Sequence, residues 1–120
     1  MNLTIGEMIK TLDKLPQLAT VYFSGNTSRP SRVMSYRGYY QDLAIEPCNT
    51  GEVTVSSFRG MLKGAVGSTY RGYKGGDFKM GLNTAVWVSY YGQADQLSVT
   101  KIKYDKKQNI VEVVTKKEDF

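Results

Sequence analysis

Apolar residues recur at helical spacing in two segments of the chain, and the first segment lies near the amino-terminal end. It opens with Thr4-Ile5-Gly6-Glu7, which has the form of a capping box, because a Thr and a Glu three positions apart can bind the free backbone amides of a first helical turn. Met8 and Leu12 extend the apolar face, and Pro16 cannot continue a helix. The pattern predicts an amphipathic helix over residues 5 to 14.

The second helical segment begins at Thr54, which can cap a helix, and ends at Gly67, where a carboxyl-terminal glycine is expected. Gly60 and Gly64 lie inside this segment. Glycine in a helix interior lowers stability by about 1 kcal/mol relative to alanine. We therefore expect both glycines to pack closely against another part of the backbone.

The remaining segments have the composition of strands, turns and loops. Strands are predicted over residues 20 to 23, 39 to 45, 70 to 80 around a turn at Gly75-Gly76, and 84 to 91, and a hairpin over residues 97 to 104 and 110 to 114. The strand over residues 84 to 91 is expected to be central. Residues 24 to 35 are polar and contain Pro30, which predicts a loop, and residues 115 to 120 are predicted to be a charged, frayed tail.

Together these elements predict an α+β fold, with two short helices packed on a mostly antiparallel sheet and a C-terminal β-hairpin. The 120 residues, of which 41% are hydrophobic and 22% are charged, have the length and composition of a single domain. No apolar run approaches the roughly 20 residues of a spanning helix, and the charged start of the chain does not resemble a signal peptide. With Cys48 as the only cysteine, we expect a cytoplasmic protein without disulfides.

The charge and the missing residue types restrict the chemistry. The chain has 16 Lys and Arg against 11 Asp and Glu, a formal net charge of +5 at pH 7, which favours anionic partners. It contains no His, the commonest general base and metal ligand, so we predict that it is not an enzyme and carries neither metal nor cofactor. Residues 101 to 107 alternate charged and apolar side chains, which favours a solvated strand over a nucleic-acid surface.

One short sequence occurs twice, as Tyr36-Arg37-Gly38-Tyr39 and as Tyr70-Arg71-Gly72-Tyr73. Arg can bind a phosphate through its planar charged group, Tyr can stack on a nucleobase, and Gly lets a backbone amide approach an anion. The repeat therefore predicts a nucleotide site in which the arginines and Lys74 hold phosphates and Asp42 and Asp77 accept hydrogen bonds. The predicted ligand-binding residues are Tyr36, Arg37, Gly38, Tyr39, Tyr40, Asp42, Tyr70, Arg71, Gly72, Tyr73, Lys74 and Asp77.

The same residues permit other interpretations. Tyr is common in strands and Gly in turns, so both copies could be half-exposed strand edges that bind no ligand. Tyr and Arg are frequent anchors of protein interfaces, so the chain could instead dock on a host protein. A weak nucleic-acid binder is a third alternative, and its affinity would fall steeply with salt. The sequence leaves open whether the two copies meet within one chain or across a dimer.

Four parts of the chain carry a further pattern: residues 4 to 7, residues 35 to 40 with 42 to 44, residues 72 to 80, and residues 85 to 88 with 91 and 92. In these parts, which cover most of residues 3 to 104, the chain resembles a family of small phage-encoded proteins, the anti-CBASS sponges. The resemblance implies a homotetramer that sequesters a cyclic nucleotide immune signal in an infected host cell without turning it over. The hairpin and tail beyond residue 104 lie outside this pattern.

The size of such a ligand also predicts an assembly. A cyclic dinucleotide has approximate two-fold symmetry, and a domain of 120 residues offers little room for a pocket that buries most of it. A symmetric interface would present the same residues from two chains. We therefore predict an obligate homo-oligomer, a dimer or a tetramer, with residues 86 to 91 near the interface and Arg37 or Arg71 contributed across it.

Overall fold

Strands make up most of the regular structure. The structure, a computed structural model, describes residues 2–25, 28–90 and 93–118. Strands account for 41% of the described residues and helices for 18%. The helices are α1 (Ile5–Leu12) and α2 (Val55–Ala65), and the strands are β1 (Thr20–Phe23), β2 (Arg29–Ser35), β3 (Leu43–Cys48), β4 (Thr69–Arg71), β5 (Asp77–Lys79), β6 (Val86–Val88), β7 (Leu97–Asp105) and β8 (Ile110–Lys117).

In the described ranges six strands form one nearly closed, barrel-like sheet in the order β1-β8-β7-β6-β3-β2. The two outer strands approach each other, and the Phe23 N–H donates a hydrogen bond of 2.7 Å to the carbonyl of Ser28 just before β2. Strand β1 is parallel to β8 and β3 is parallel to β6, while the other neighbours are antiparallel. The predicted α+β class is therefore wrong, because the curled sheet and not a helical layer dominates the fold.

The main error in the predicted elements is the loop over residues 24 to 35, much of which forms β2. This strand pairs with β3, and Pro30 lies opposite Pro47 beside an irregularity in the register. Proline cannot donate a ladder hydrogen bond, but an edge strand tolerates it, and β2 is an outer strand. The extra strand brings the sheet round towards β1. Because the chain turns between β2 and β3, the predicted strand over residues 39 to 45 begins only at Leu43.

Both predicted helices are confirmed, although each is shorter than expected. The Thr4 hydroxyl accepts from the Glu7 N–H, and the Glu7 carboxylate accepts from the Thr4 N–H, which completes the predicted capping box. Thr54 caps α2 in a similar way. The close packing predicted at Gly60 and Gly64 is wrong, because a β-carbon at either position would meet no atom within 4 Å.

The two helices and the sheet share one hydrophobic core. Strand β6 lies between β3 and β7 and is buried along its length, which confirms the predicted central position, but within residues 84 to 90 of the predicted range the strand spans only Val86–Val88. The largest fully buried aliphatic and aromatic residues of this core include Ile5, Met8, Leu12, Leu43, Ile45, Phe58, Leu62 and Met80. Within the described ranges, no helix has the length and apolar character needed to cross a bilayer.

The C-terminal hairpin predicted from the sequence is confirmed by the antiparallel pairing of β7 with β8. Exposed Lys101 and Lys103 alternate with partly buried Ile102 and Tyr104, as expected for a strand with one solvated face. Strand β8 continues to Lys117, so the tail predicted from residue 115 is wrong for residues 115 to 117. Residues 119 and 120 of that predicted tail lie outside the described residues.

Candidate functional site

The first Tyr-Arg-Gly-Tyr sequence lies in the loop of residues 36 to 42, which connects β2 to β3. The Tyr36 N–H donates to the Asp42 carbonyl at 2.9 Å, and the Asp42 N–H donates to the Tyr39 carbonyl at 2.8 Å. The Ser35 hydroxyl donates to the carbonyl of Tyr40 at 2.6 Å. These bonds close the loop on itself, so its side chains project from a fixed backbone.

The second copy lies in a hairpin in which β4 pairs with β5 as a separate two-stranded sheet. The φ angles of Gly75 and Gly76 are +99° and +83°, a conformation that other residues rarely adopt. A β-carbon on Gly72 would lie 2.9 Å from the Gly75 carbonyl oxygen and 2.8 Å from the ring of Phe78. The hairpin predicted around Gly75-Gly76 is thus confirmed, and Gly72 serves its packing.

The two copies meet within one chain, which resolves the alternative that the sequence left open. The guanidinium carbon of Arg37 lies 3.7 Å from the centre of the Tyr73 ring, a cation–π contact between the first copy and the second. The rings of Tyr40 and Phe78 lie 5.5 Å apart between the same two elements. The β2–β3 loop and the β4–β5 hairpin therefore form one continuous surface.

We call this surface the cation–tyrosine patch, and its members are the partly buried Arg37 and the exposed Tyr39, Arg71, Tyr73 and Lys74. The Tyr39 side chain is 45% exposed and the Tyr73 side chain 63% exposed. Arg71 and Lys74 are also exposed. Among the described residues, none of the three cations has a carboxylate within ion-pair distance. The patch therefore combines open aromatic rings with positive charge that the described chain does not neutralise.

Tyr36 does not belong to the patch, and its predicted role in base stacking is wrong. Its side chain is 1% exposed, and its ring stacks on Trp87 with the centroids 4.7 Å apart and an interplanar angle of 10°. The Tyr36 hydroxyl accepts a hydrogen bond of 2.9 Å from the Gln96 N–H, and burial raises the pKa of this hydroxyl. A β-carbon on Gly38 would lie 2.5 Å from the ring. Gly38 therefore covers Tyr36, and both are packing residues.

The other predicted residues divide between the surface and the interior. Tyr70 is partly buried against the core, and Tyr40 is partly buried against Phe78. Asp77 is exposed and lies opposite Arg71 in the register of the hairpin. The structure thus brings Arg37, Tyr39, Arg71, Tyr73, Lys74 and Asp77 to the surface of two adjoining elements. Tyr36 is buried and is not part of this surface, and the partly buried Tyr70 has little free ring surface.

Asp42 occupies a half-buried position beside the patch. Its Oδ2 accepts a hydrogen bond of 2.9 Å from the Trp87 Nε1–H. Burial raises the pKa of the Asp42 carboxyl, and the Trp87 hydrogen bond acts in the opposite direction. Asp42 also lines a surface groove of about 420 Å³, together with Lys79 and Leu82. Lys79 and Leu82 are not among the residues predicted from the sequence, because no local motif connects residues from separate segments to one groove.

Replacing Trp87 with Phe is expected to raise the pKa of Asp42 further, because Phe lacks the N–H that stabilises the charged carboxylate. The pKa of Asp42 is already higher in the folded protein than in the unfolded chain, so as the pH rises the carboxyl loses its proton in the unfolded chain first. The contribution of Asp42 to the free energy of unfolding therefore falls as the pH rises from the unfolded pKa through the folded pKa. An NMR titration of the Asp42 carboxyl carbon in both proteins measures the change, and an unchanged pKa would contradict this role of Trp87.

The strand predicted to lie near a subunit interface is largely buried within its own chain. Residues 86 to 89 are buried within their own chain, Tyr90 is exposed, and Tyr91 lies outside the described residues. Residues 86 to 89 have little surface of their own to offer a second chain, and the expectation that this strand lies near an interface stays a prediction.

No family model, curated protein or solved structure matches the chain. The function is therefore proposed from the geometry of the patch.

Proposed function

We propose that the protein binds a cyclic di- or oligonucleotide immune signal and holds it without hydrolysis. In this proposal it is a phage protein that counters host defence from the cytoplasm of the infected cell. The observation that carries the proposal is the contact of Arg37 with Tyr73, because it joins the two Tyr-Arg-Gly-Tyr sequences in one patch. Two copies of a phosphate-binding and base-stacking sequence on one surface suit a ligand with two or more phosphates.

Phosphate binding is supported by the state of the three cations. The guanidinium carbon of Arg37 lies over the Tyr73 ring, and the group makes no hydrogen bond within the described residues. A cation–π contact uses none of the guanidinium N–H groups as a hydrogen-bond donor to an oxygen, so these donors can still bind a phosphate. Arg71 and Lys74 add two exposed charges from the hairpin. An anion on the patch would meet donors that no carboxylate of the described chain already occupies.

Base stacking is supported by the exposed tyrosine rings. Tyr39 and Tyr73 belong to different copies of the repeat and both present ring surface to solvent. Stacking of a base on an aromatic side chain contributes about 1 to 3 kcal/mol and tolerates any base. Arg and Tyr thus supply affinity for the nucleotide class. The patch consists of side chains that bind and stack, and the chain contains no His to act as a general base, which supports retention without hydrolysis.

Isothermal titration calorimetry against a panel of cyclic di- and trinucleotides tests the proposal. We expect saturable binding of at least one member and recovery of that ligand, with its mass unchanged, after heat denaturation of the complex. Absence of binding across the panel contradicts the proposal. A host protein that co-purifies in stoichiometric amount, with no small molecule released, would favour the docking alternative. Binding that occurs only with single-stranded nucleic acid and weakens steeply with salt would favour the nucleic-acid alternative.

A further inference from the structure

The groove beside the cation–tyrosine patch has the chemistry of a base pocket. Both elements of the patch contribute to it, because Asp42 ends the β2–β3 loop and Lys79 ends β5, and the turn of residues 81 to 84 completes its lining. A carboxylate and an ammonium group therefore line one concave surface of about 420 Å³. The Leu82 side chain, which is 57% exposed, adds an apolar wall. A ligand bound at the patch could place a base here, because the β2–β3 loop and β5 both reach the groove.

The far wall of this groove is fixed to the body of the protein. The Gly81 N–H donates to the Thr84 hydroxyl at 2.8 Å, and this bond closes the turn that carries Leu82. The Gly6 N–H at the start of α1 donates to the carbonyl of Leu82 at 2.9 Å. A β-carbon on Gly6 would lie 2.9 Å from the same carbonyl oxygen, so the approach requires glycine. The groove is therefore preformed, which favours selective binding.

The fold orients the Asp42 carboxylate through one oxygen and leaves the other oxygen available to a ligand. Trp87 holds Oδ2, while Oδ1 makes no hydrogen bond within the described residues. Neither Asp42 nor Lys79 forms an ion pair in the described part of the chain. An ionised carboxylate can only accept hydrogen bonds, and an ammonium group can only donate them. The groove therefore suits a ligand whose edge carries hydrogen-bond donors, to face Asp42, beside an acceptor, to face Lys79.

We propose that this groove binds a guanine base of the nucleotide, an inference that rests on the proposed function. The Watson–Crick edge of guanine carries two adjacent donors, N1–H and the 2-amino group, next to the acceptor O6. Asp42 accepts from the donors, and Lys79 donates to O6. Adenine carries an acceptor at N1, which would face the carboxylate and repel it. A buried polar group left unpaired or opposed discriminates strongly between such bases.

The test compares three cyclic dinucleotides that share one sugar–phosphate ring: cyclic diguanylate, cyclic diinosinate and cyclic diadenylate. Inosine keeps N1–H and O6 of guanine but lacks the 2-amino group. Hydrogen bonds to charged groups predict that the protein binds the diguanylate about 10-fold or more tightly than the diadenylate, with the diinosinate between them. This comparison uses the natural chain and does not depend on the folding of any variant.

Asp42→Asn then assigns the selectivity to its residue. The amide oxygen can still accept from Trp87, but the side chain then offers the ligand an NH2 donor in place of the Oδ1 acceptor, and no charge. We expect the preference for diguanylate over diinosinate to disappear and the affinity for diadenylate to rise, because the charged acceptor that opposes adenine N1 is gone. Glu52→Gln is the matched control, because Glu52 is exposed and does not line the groove. It makes the same change of charge and should leave the preference intact.

The possible outcomes separate the two proposals. Equal binding of all three ligands would overturn the guanine site while leaving nucleotide binding in place. A preference that survives in Asp42→Asn would also overturn it. Failure to bind any of the three would overturn the guanine site, and the proposed function would then depend on the remainder of the calorimetric panel. A guanine preference that is lost in Asp42→Asn and kept in Glu52→Gln supports the groove as the guanine site.

Discussion

Tyr36→Ala is expected to lower the free energy of unfolding by about 3 to 5 kcal/mol, the usual effect of removing a buried aromatic side chain. Tyr36 is 1% exposed, stacks on Trp87, and accepts the hydrogen bond of the Gln96 N–H. Alanine would leave a cavity against the Trp87 ring and an amide without its partner. Urea unfolding measures the change as a fall in the transition midpoint.

Tyr39→Ala is the matched comparison, because it removes the same side chain from the same repeat. Tyr39 is 45% exposed, and its ring lies 5.9 Å from that of Trp87. We expect a loss of less than about 1 kcal/mol of stability, typical of a surface position. Nucleotide affinity should nevertheless fall, since base stacking on an aromatic ring contributes about 1 to 3 kcal/mol. Equal stability of the two variants would contradict the separation of a packing tyrosine from a binding one.

This contrast shows why the repeat could be found in the sequence while its roles could not be assigned. Both tyrosines flank the same Arg-Gly pair, so local sequence gives them equal claims. Tyr36 is buried and Tyr39 is exposed because Tyr36 stacks on Trp87, which lies on β6 in the other half of the chain. Non-local packing of this kind has no local signal. The meeting of Arg37 with Tyr73 depends in the same way on the placement of the β4–β5 hairpin.

The fold shows the same division between local and non-local information. The capping box at Thr4 and the turn at Gly75-Gly76 are decided by residues close in sequence, and both were predicted. Strand β2 was missed because its pairing with β3, and not its own composition, makes it a strand. That omission also hid the curling of the sheet, since β2 is the strand that approaches β1. The error in fold class follows from this one segment.

Arg71→Ala is expected to weaken nucleotide binding about 10-fold to 150-fold, since a hydrogen bond to a charged group contributes about 1.5 to 3 kcal/mol. Arg71 is exposed on β4 and has no ion pair within the described residues, so its removal leaves no cavity and no unpaired charge. Stability should therefore change by less than about 0.5 kcal/mol. Calorimetry with the ligand identified by the panel measures the loss.

Two further variants separate charge from geometry. Arg71→Lys keeps the charge but cannot bind a phosphate through two parallel N–H groups, so its affinity should lie between those of the natural protein and Arg71→Ala. Arg59→Ala removes an arginine that pairs with Asp13 on the helices, away from the patch, and should leave affinity unchanged. An equal loss in Arg59→Ala would mean that net charge alone, and not the patch, controls binding.

The same variants test the proposed assembly. If a cyclic dinucleotide with two-fold symmetry is shared by two chains, light scattering should give a mass of two or four chains, and the stoichiometry should be one ligand for each pair. Because Arg71 is exposed and has no ion pair among the described residues, Arg71→Ala should keep that mass while losing affinity. A monomer that binds one ligand per chain would contradict the shared site. It would instead require the Arg37–Tyr73 patch of a single chain to hold both phosphates, with Arg37 on one and Arg71 on the other.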